Sequence, residues 1–174
     1  MIRGGEEEDV SSIAYIHVQA WRETYAGLIP QEILDGLSVE ARAAMWRSAL
    51  QAGSATSLLI CEQEGEAVGF AAVGPEREQH PLYTGELYAI YLLKAFHGCG
   101  YGRALFQAAA RSLGAAGHEA MRLWVLEENP TRGFYERMGS ALHEQKTISV
   151  VGAQLNEVAY GWPKLTDVHA DTKG

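Results

Sequence analysis

The run His97-Gly98-Cys99-Gly100-Tyr101-Gly102 places glycine at every second position between a strand-like and a helix-like segment. Glycines there let the backbone turn tightly and approach a ligand with no Cβ in the way. The N–H groups opening the following helix then point at whatever the turn encloses, which suits a phosphate or pyrophosphate. An ordinary strand-to-helix turn would use the same glycines, so the neighbouring segments have to decide. Two phosphate loops do not fit. A P-loop needs Gly-Lys followed by Ser or Thr, whereas Gly102 is followed by Arg103-Ala104. A dinucleotide fingerprint needs Gly or Ala where Arg103 stands, and its glycines follow the strand directly, whereas Lys94-Ala95-Phe96-His97 intervene here.

The elements around this loop can be predicted from periodicity. Residues 1–5 suggest a short first strand. Val10, Ile13, Ala14, His17, Ala20 and Trp21 recur at helical spacing, with Glu7, Glu8 and Asp9 in the first turn, until Gly27 and Pro30 break the pattern. A second helix is expected over 40–50. Residues 57–63 and 67–73 form a hairpin around Glu64-Gly65-Glu66. In the strand over 86–93, alternation puts Glu86, Tyr88, Ile90 and Leu92 on one face and Leu87, Ala89, Tyr91 and Leu93 on the other. Leu105, Ala109 and Leu113 line the helix after the loop. Residues 121–126 form a central strand, 131–138 a short helix, and strands near 141–150 and 154–162 complete an α+β sheet.

A chain of 174 residues suits one domain, taken as 1–165, with 166–174 a polar tail expected to be disordered. The N-terminus is too acidic for a signal peptide, and no apolar run approaches the ~20 residues of a membrane span. A soluble cytoplasmic protein with no membrane partner is therefore expected. The formal charge of −8, without a Lys/Arg cluster, argues against nucleic acid and favours a cationic or amine partner. Cys61 and Cys99, with no His or Cys at ligand spacing, provide no metal framework. His17, His80, His118 and His143 show no catalytic spacing. Neither Gly-x-Ser-x-Gly nor His-Glu-x-x-His is present, so hydrolase chemistry lacks its motifs.

After the loop come a strand, then Asn129-Pro130, then Phe134-Tyr135-Glu136-Arg137-Met138-Gly139. With these segments the sequence resembles the GNAT superfamily of N-acetyltransferases. Their acyl-CoA loop, Arg/Gln-x-x-Gly-x-Gly/Ala, is matched by His97-x-x-Gly100-x-Gly102, and the family's next segment carries an Asn, then Phe-Tyr, then Gly. The segment Trp21-Arg22-x-Thr24-Tyr25-x-Gly27-Leu28-Ile29-Pro30 is similar to a bacterial branch of that family. The resemblance covers nearly the whole chain. It departs from the family at His97, where Arg or Gln is usual, at Lys94, where Pro is common, and in an Asn129-to-Tyr135 interval one residue short.

The resemblance implies a mixed, mostly antiparallel twisted sheet of about six to seven strands with flanking helices. It implies an enzyme that moves an acetyl group from acetyl-CoA to a primary amine by direct attack, without a metal. The acceptor would be a small amine or a protein amine, and a homodimer is left open. The competing expectation is a non-catalytic acyl-CoA-binding module of the same fold. The cofactor-binding residues would be Ile90, Tyr91 and Leu92 on the strand, His97, Gly98, Cys99, Gly100, Tyr101, Gly102 and Arg103 around the loop, and Asn129 and Tyr135 beyond it. An alkylamine with a pKa near ~10 must lose a proton before it attacks, and Glu86 is the candidate base, directly or through water. Tyr135 would protonate the departing thiolate, and Trp21, Tyr25 and Tyr88 would line the acceptor pocket.

Overall fold

Seven strands form a single sheet in the computed structural model, which describes residues 1–51 and 54–169. They are β1 (Ile2–Gly4), β2 (Ser57–Gln63), β3 (Glu66–Pro75), β4 (Gly85–Leu92), β5 (Met121–Leu126), β6 (Ala141–Val150) and β7 (Ala153–Trp162), in the order β1-β2-β3-β4-β5-β7-β6. Every neighbouring pair is antiparallel except β4–β5. A parallel pair needs a crossover, and α4 (Tyr101–Ala115) supplies it. The turn joining β2 to β3 has two residues, Glu64 and Gly65, both at positive φ, the twist that a tight hairpin favours.

Two apolar layers cover the sheet. On one face α4 lays Leu105, Phe106, Ala109 and Leu113 against Ala71, Leu87, Met121 and Leu123. On the other, α1 (Val10–Tyr25) brings Val10, Ile13 and Ile16 onto Ile60, Phe70 and Ala72, with Trp46 of α3 (Val39–Ala49) packed beside them. Ser38 caps α3 by accepting a hydrogen bond from the Ala41 N–H at 3.1 Å. A short helix, α2 (Gln31–Asp35), follows Pro30 where the sequence signalled only a break; five residues are too few to show a period.

The register of β4 departs from simple alternation. Ala89 pairs with Ala72 and Leu87 with Val73, so Tyr88 is an extra residue without a partner on β3. A bulge of this kind reverses the facing of everything beyond it. Leu87, Ile90 and Leu92 therefore pack on the α4 side, while Tyr88, Ala89, Tyr91 and Leu93 pack on the α1 side. This corrects the expected grouping of Tyr88 with Ile90 and Leu92.

At the C-terminal end, Leu165–His169 forms a 3-10 turn whose Leu165 and Val168 are buried in the α4 layer. The compact part thus runs past residue 165, where the sequence placed its end. Residues 170–174 lie outside the described residues.

His17 is held in α1 with 6% of its surface exposed, stacked on Tyr91 with ring centroids 4.7 Å apart. Its Nδ1 accepts the Trp46 indole N–H at 3.1 Å. Burial, aided by Arg42, pushes its pKa from 6.5 down to about 3. The unfolded chain therefore binds a proton that the fold refuses, so stability is full above pH 6.5 and declines as pH falls below it. The expected loss from this group is about 2 kcal/mol at pH 5 relative to neutral pH. Urea titrations at pH 7.5 and pH 5 check it: His17→Gln should remove that part of the pH dependence.

Candidate active site

β4 and β5 hold register only at Gly85–Met121 and Glu86–Arg122. Beyond that pair the strands diverge, leaving the facing backbone edge of β4 unpaired by β5 and opening a cavity of about 650 Å³. A slot of this size, walled by apolar side chains with a few polar groups, is a usual ligand site. Its length runs from the α4 N-terminus, past β4, to a polar end against the α1 face.

At the α4 end, Gly98 and Gly100 have φ of 76° and 84°, a backbone region that L side chains rarely adopt. Gly100 is the residue that caps α4, and nothing stands within 4 Å of where a Cβ would project from either glycine. The first-turn N–H groups, Tyr101 and Gly102 among them, have no acceptor within the helix. A phosphate seated there would meet them and the positive end of a 15-residue helix dipole. Arg103 and Arg137 line the cavity as well; Arg137, on α5 (Arg132–Arg137), was not among the expected cofactor-binding residues. The His97 ring turns back to the protein, with Nε2 2.9 Å from the Leu92 carbonyl, so its contribution to an anion is through its backbone.

The other expected residues fall on the slot wall with two exceptions. Trp21, Tyr25, Glu86, Tyr88, Ile90, Tyr91, Leu92, His97, Gly98, Gly100, Gly102, Arg103, Asn129 and Tyr135 line it, whereas Cys99 and Tyr101 do not. Cys99 is exposed, and the Tyr101 hydroxyl donates to Gln63 instead. Trp21 donates its indole N–H to the Tyr91 hydroxyl at 2.9 Å and packs on Tyr25 at 4.9 Å. Asn129 donates to the Tyr25 hydroxyl at 3.0 Å, and its Oδ1 accepts the Thr131 N–H at 2.8 Å, so its amide braces the wall.

Tyr135, on α5, is 6% exposed and packs against Phe106, Phe134 and Tyr160. Tyr135 lines the slot, and its hydroxyl has no hydrogen-bond partner among the described residues. Burial, with Tyr91 and Tyr160 nearby, raises its pKa above the ordinary tyrosine value, so it stays protonated. That is the state a proton donor requires.

The polar end is where the sequence was least informative. Glu86 is 1% exposed, and Arg77 holds its carboxylate through Nε, Nη2 and the backbone N–H, the Nη2 bond at 2.5 Å. Arg77 also lies over the Tyr88 ring at 4.7 Å, and Tyr88 donates to the Pro75 carbonyl. Facing them are Trp124, Lys146 and Glu157, none of which has a motif. Lys146 sits 3.9 Å over the Trp124 ring, and the Trp124 indole N–H is buried without a partner among the described residues. His80, His143 and Glu144 approach one another within 4.8 Å outside the slot lining. There His80 Nδ1 accepts the Leu82 and Tyr83 N–H groups and Glu144 pairs with Arg122, so these lone pairs serve the fold.

No helix among the described residues is long and apolar enough to cross a membrane. A model of the acetyltransferase (GNAT) family matches residues 14–140. An uncharacterized N-acetyltransferase of Bacillus subtilis (strain 168), YuaI, is 36% identical over 165 residues, covering 95% of this chain and 94% of that protein. The fold is that of yncA from Salmonella typhimurium, solved with its cofactor acetyl-CoA, at a TM-score of 0.71 and 21% identity over 95% of this chain and 93% of that one. It is also that of the paia N-acetyltransferase from Thermoplasma acidophilum, solved with coenzyme A, at a TM-score of 0.68 and 19% identity over 91% and 96%.

Proposed function

The chain belongs to the acetyltransferase (GNAT) family, and from that membership we propose that it transfers an acetyl group from acetyl-CoA to a primary amine within a ternary complex. The observation that carries this is the slot between β4 and β5, which joins the glycine turn and α4 N-terminus to a polar pocket past Tyr135. An elongated ligand with a phosphate end and a reactive end fits that outline. The open β4 edge beyond Glu86 and the empty space over Gly98 and Gly100 are consistent with acetyl-CoA in particular. Acetyl-CoA supplies the activated acetyl group and a thiolate leaving group.

The protein's own contribution would be threefold. The α4 N-terminus, with the backbone of Gly98, Gly100 and Gly102, holds the pyrophosphate. The β4 N–H groups around Ile90 to Leu92 orient the chain of the donor and meet negative charge developing on its carbonyl oxygen. Tyr135 gives its proton to sulfur as the C–S bond breaks. A carboxylate at the polar end takes the proton of the incoming ammonium, and Glu86 is the one the sequence points to. Trp21, Tyr25 and Tyr88 form the pocket wall on the α1 side, and neighbouring carboxylates favour a cationic acceptor.

Release of CoA thiol from acetyl-CoA across a panel of amines tests the reaction, and thermal stabilisation by CoA tests the site separately. CoA at a hundred times its Kd stabilises by about 2.7 kcal/mol, an expected rise of roughly 5–10 °C in Tm for a chain of this size. No rise with CoA would overturn the proposal. A rise without turnover on any amine would leave a binding module.

A further inference from the structure

Among the carboxylates around the polar end, Glu157 on β7 differs from the rest in its partners. Glu86 is fully engaged by Arg77, and Glu78 accepts Lys146 Nζ at 2.7 Å. The Glu157 carboxylate accepts no hydrogen bond among the described residues; its nearest cation is the same Lys146, at 3.9 Å. Glu157 retains 21% side-chain exposure and forms part of the slot wall. Glu78 is further held by Arg122 at 2.5 Å, so of these carboxylates only Glu157 lacks a close cation. An ammonium ion entering the slot would give it one.

Its level along the slot follows from register. From Glu86–Arg122, four residues forward on each strand reach Ile90 and Leu126, and the bulge at Tyr88 moves the β4 match toward Tyr91. Leu126 pairs with Glu157 across the β5–β7 ladder, so the two side chains share a face. That face is the α1 side, since Leu126 packs with Tyr25. Glu157 therefore stands beside the stretch of β4 assigned to the thioester, on the side from which an acceptor can approach.

We propose that Glu157 is the catalytic base that receives the acceptor's ammonium proton, with Arg77-bound Glu86 positioning the pocket. This rests on the acetyl-transfer reading above. The proton passes from nitrogen to the Glu157 carboxylate. The nitrogen lone pair then forms the C–N bond, the C–S bond breaks, and sulfur takes the Tyr135 proton. The second proton of the acylated nitrogen restores Tyr135, and Glu157 releases its own to solvent. The charged and titratable groups facing Glu157 are Lys146 on β6, Arg77 and Glu78 on the β3–β4 connection, and Glu86 and Tyr91 on β4. Burial raises its pKa above the ordinary glutamate value despite Lys146 and Arg77, which makes it the stronger base toward an ammonium proton.

The experiment is a pH–rate profile of kcat/KM for the best amine with wild type, Glu157→Gln, Glu157→Asp and Glu86→Gln. Wild type should show an acidic limb, rising as Glu157 loses its proton. Glu157→Gln should lower kcat/KM about 100-fold near neutral pH, lose that limb, and keep the thermal shift with CoA. Glu157→Asp should retain the limb at reduced rate, and Glu86→Gln should retain it as well. Wild-type rates and an intact limb in Glu157→Gln would overturn the assignment, as would loss of the limb in Glu86→Gln alone. Absence of transfer by the wild type to any amine would instead overturn the acetyl-transfer reading, and this one with it.

Discussion

Tyr135→Phe is expected to lower kcat about 100-fold, the lower end of what a positioned general acid contributes, while leaving the affinity for CoA unchanged. The substitution removes one oxygen and keeps the ring between Phe106, Phe134 and Tyr160. Because that hydroxyl has no partner among the described residues, its loss strands no other group, and the fold should be as stable or slightly more so. The two effects separate chemistry from packing. A structural tyrosine would give a lower Tm and a normal kcat; a proton donor gives a normal Tm and a low kcat. The direction of its pKa sharpens the expectation further. Burial holds the phenol protonated beyond the ordinary tyrosine range, so the wild-type rate should show no basic limb from Tyr135 below about pH 10. Steady-state kinetics with saturating amine, beside a CoA thermal shift, decide it, and an unchanged kcat would remove Tyr135 from this role.

The fold was largely legible because its signals are local. Alternation marked the strands, three- and four-residue spacing marked α1 and α4, and Glu64-Gly65 marked a hairpin. The loop glycines were legible for the same reason: a positive φ at Gly98 and Gly100 leaves a trace in residue type. The polar end left no such trace. Arg77, Trp124, Lys146 and Glu157 come from four separate segments, and only the sheet order β4-β5-β7-β6 gathers them. A lone Glu on an exposed-looking strand reads as a solvated face, since nothing in its own neighbourhood reveals what lies across the ladder. The bulge at Tyr88 was hidden for a related reason. It is defined by pairing with Ala72 and Val73, and alternation along β4 alone cannot register a skipped partner. Glu86 shows the limit from the other direction: the strand identified it as a slot residue, while its tie to Arg77 depends on how the β3–β4 connection folds back.

Arg122→Met is expected to cost about 3–5 kcal/mol of stability, the usual consequence of leaving a buried charge without its partner. Arg122 is 1% exposed on β5, and its guanidinium reaches Glu76 at 2.5 Å, Glu78 at 2.5 Å and Glu144 at 2.8 Å. Glu78 and Glu144 are about half exposed and can return to water, but the Glu76 side chain is only 2% exposed. Burial works against the Glu76 carboxylate, yet N–H groups of His80 and Glu78 together with Arg122 hold its pKa below the ordinary value. A depressed carboxyl pKa adds stability above the unfolded value, and that stability is lost as pH falls through the folded one. Removing the cation raises the folded pKa, so the deficit of Arg122→Met should be largest near neutral pH and should narrow on acidification, as Glu76 takes up a proton. Arg122→Met with Glu76→Gln should recover part of the loss, because no buried charge is then left unpaired. Urea titrations at pH 7.5 and pH 5 measure all three. A deficit below about 1 kcal/mol, the scale of a surface pair, would mean that Glu76 finds water once the arginine is gone. The larger loss would identify this network as what pins β4 to β5 at Glu86–Arg122, so that the strands part only beyond it and the slot begins where the chemistry needs it.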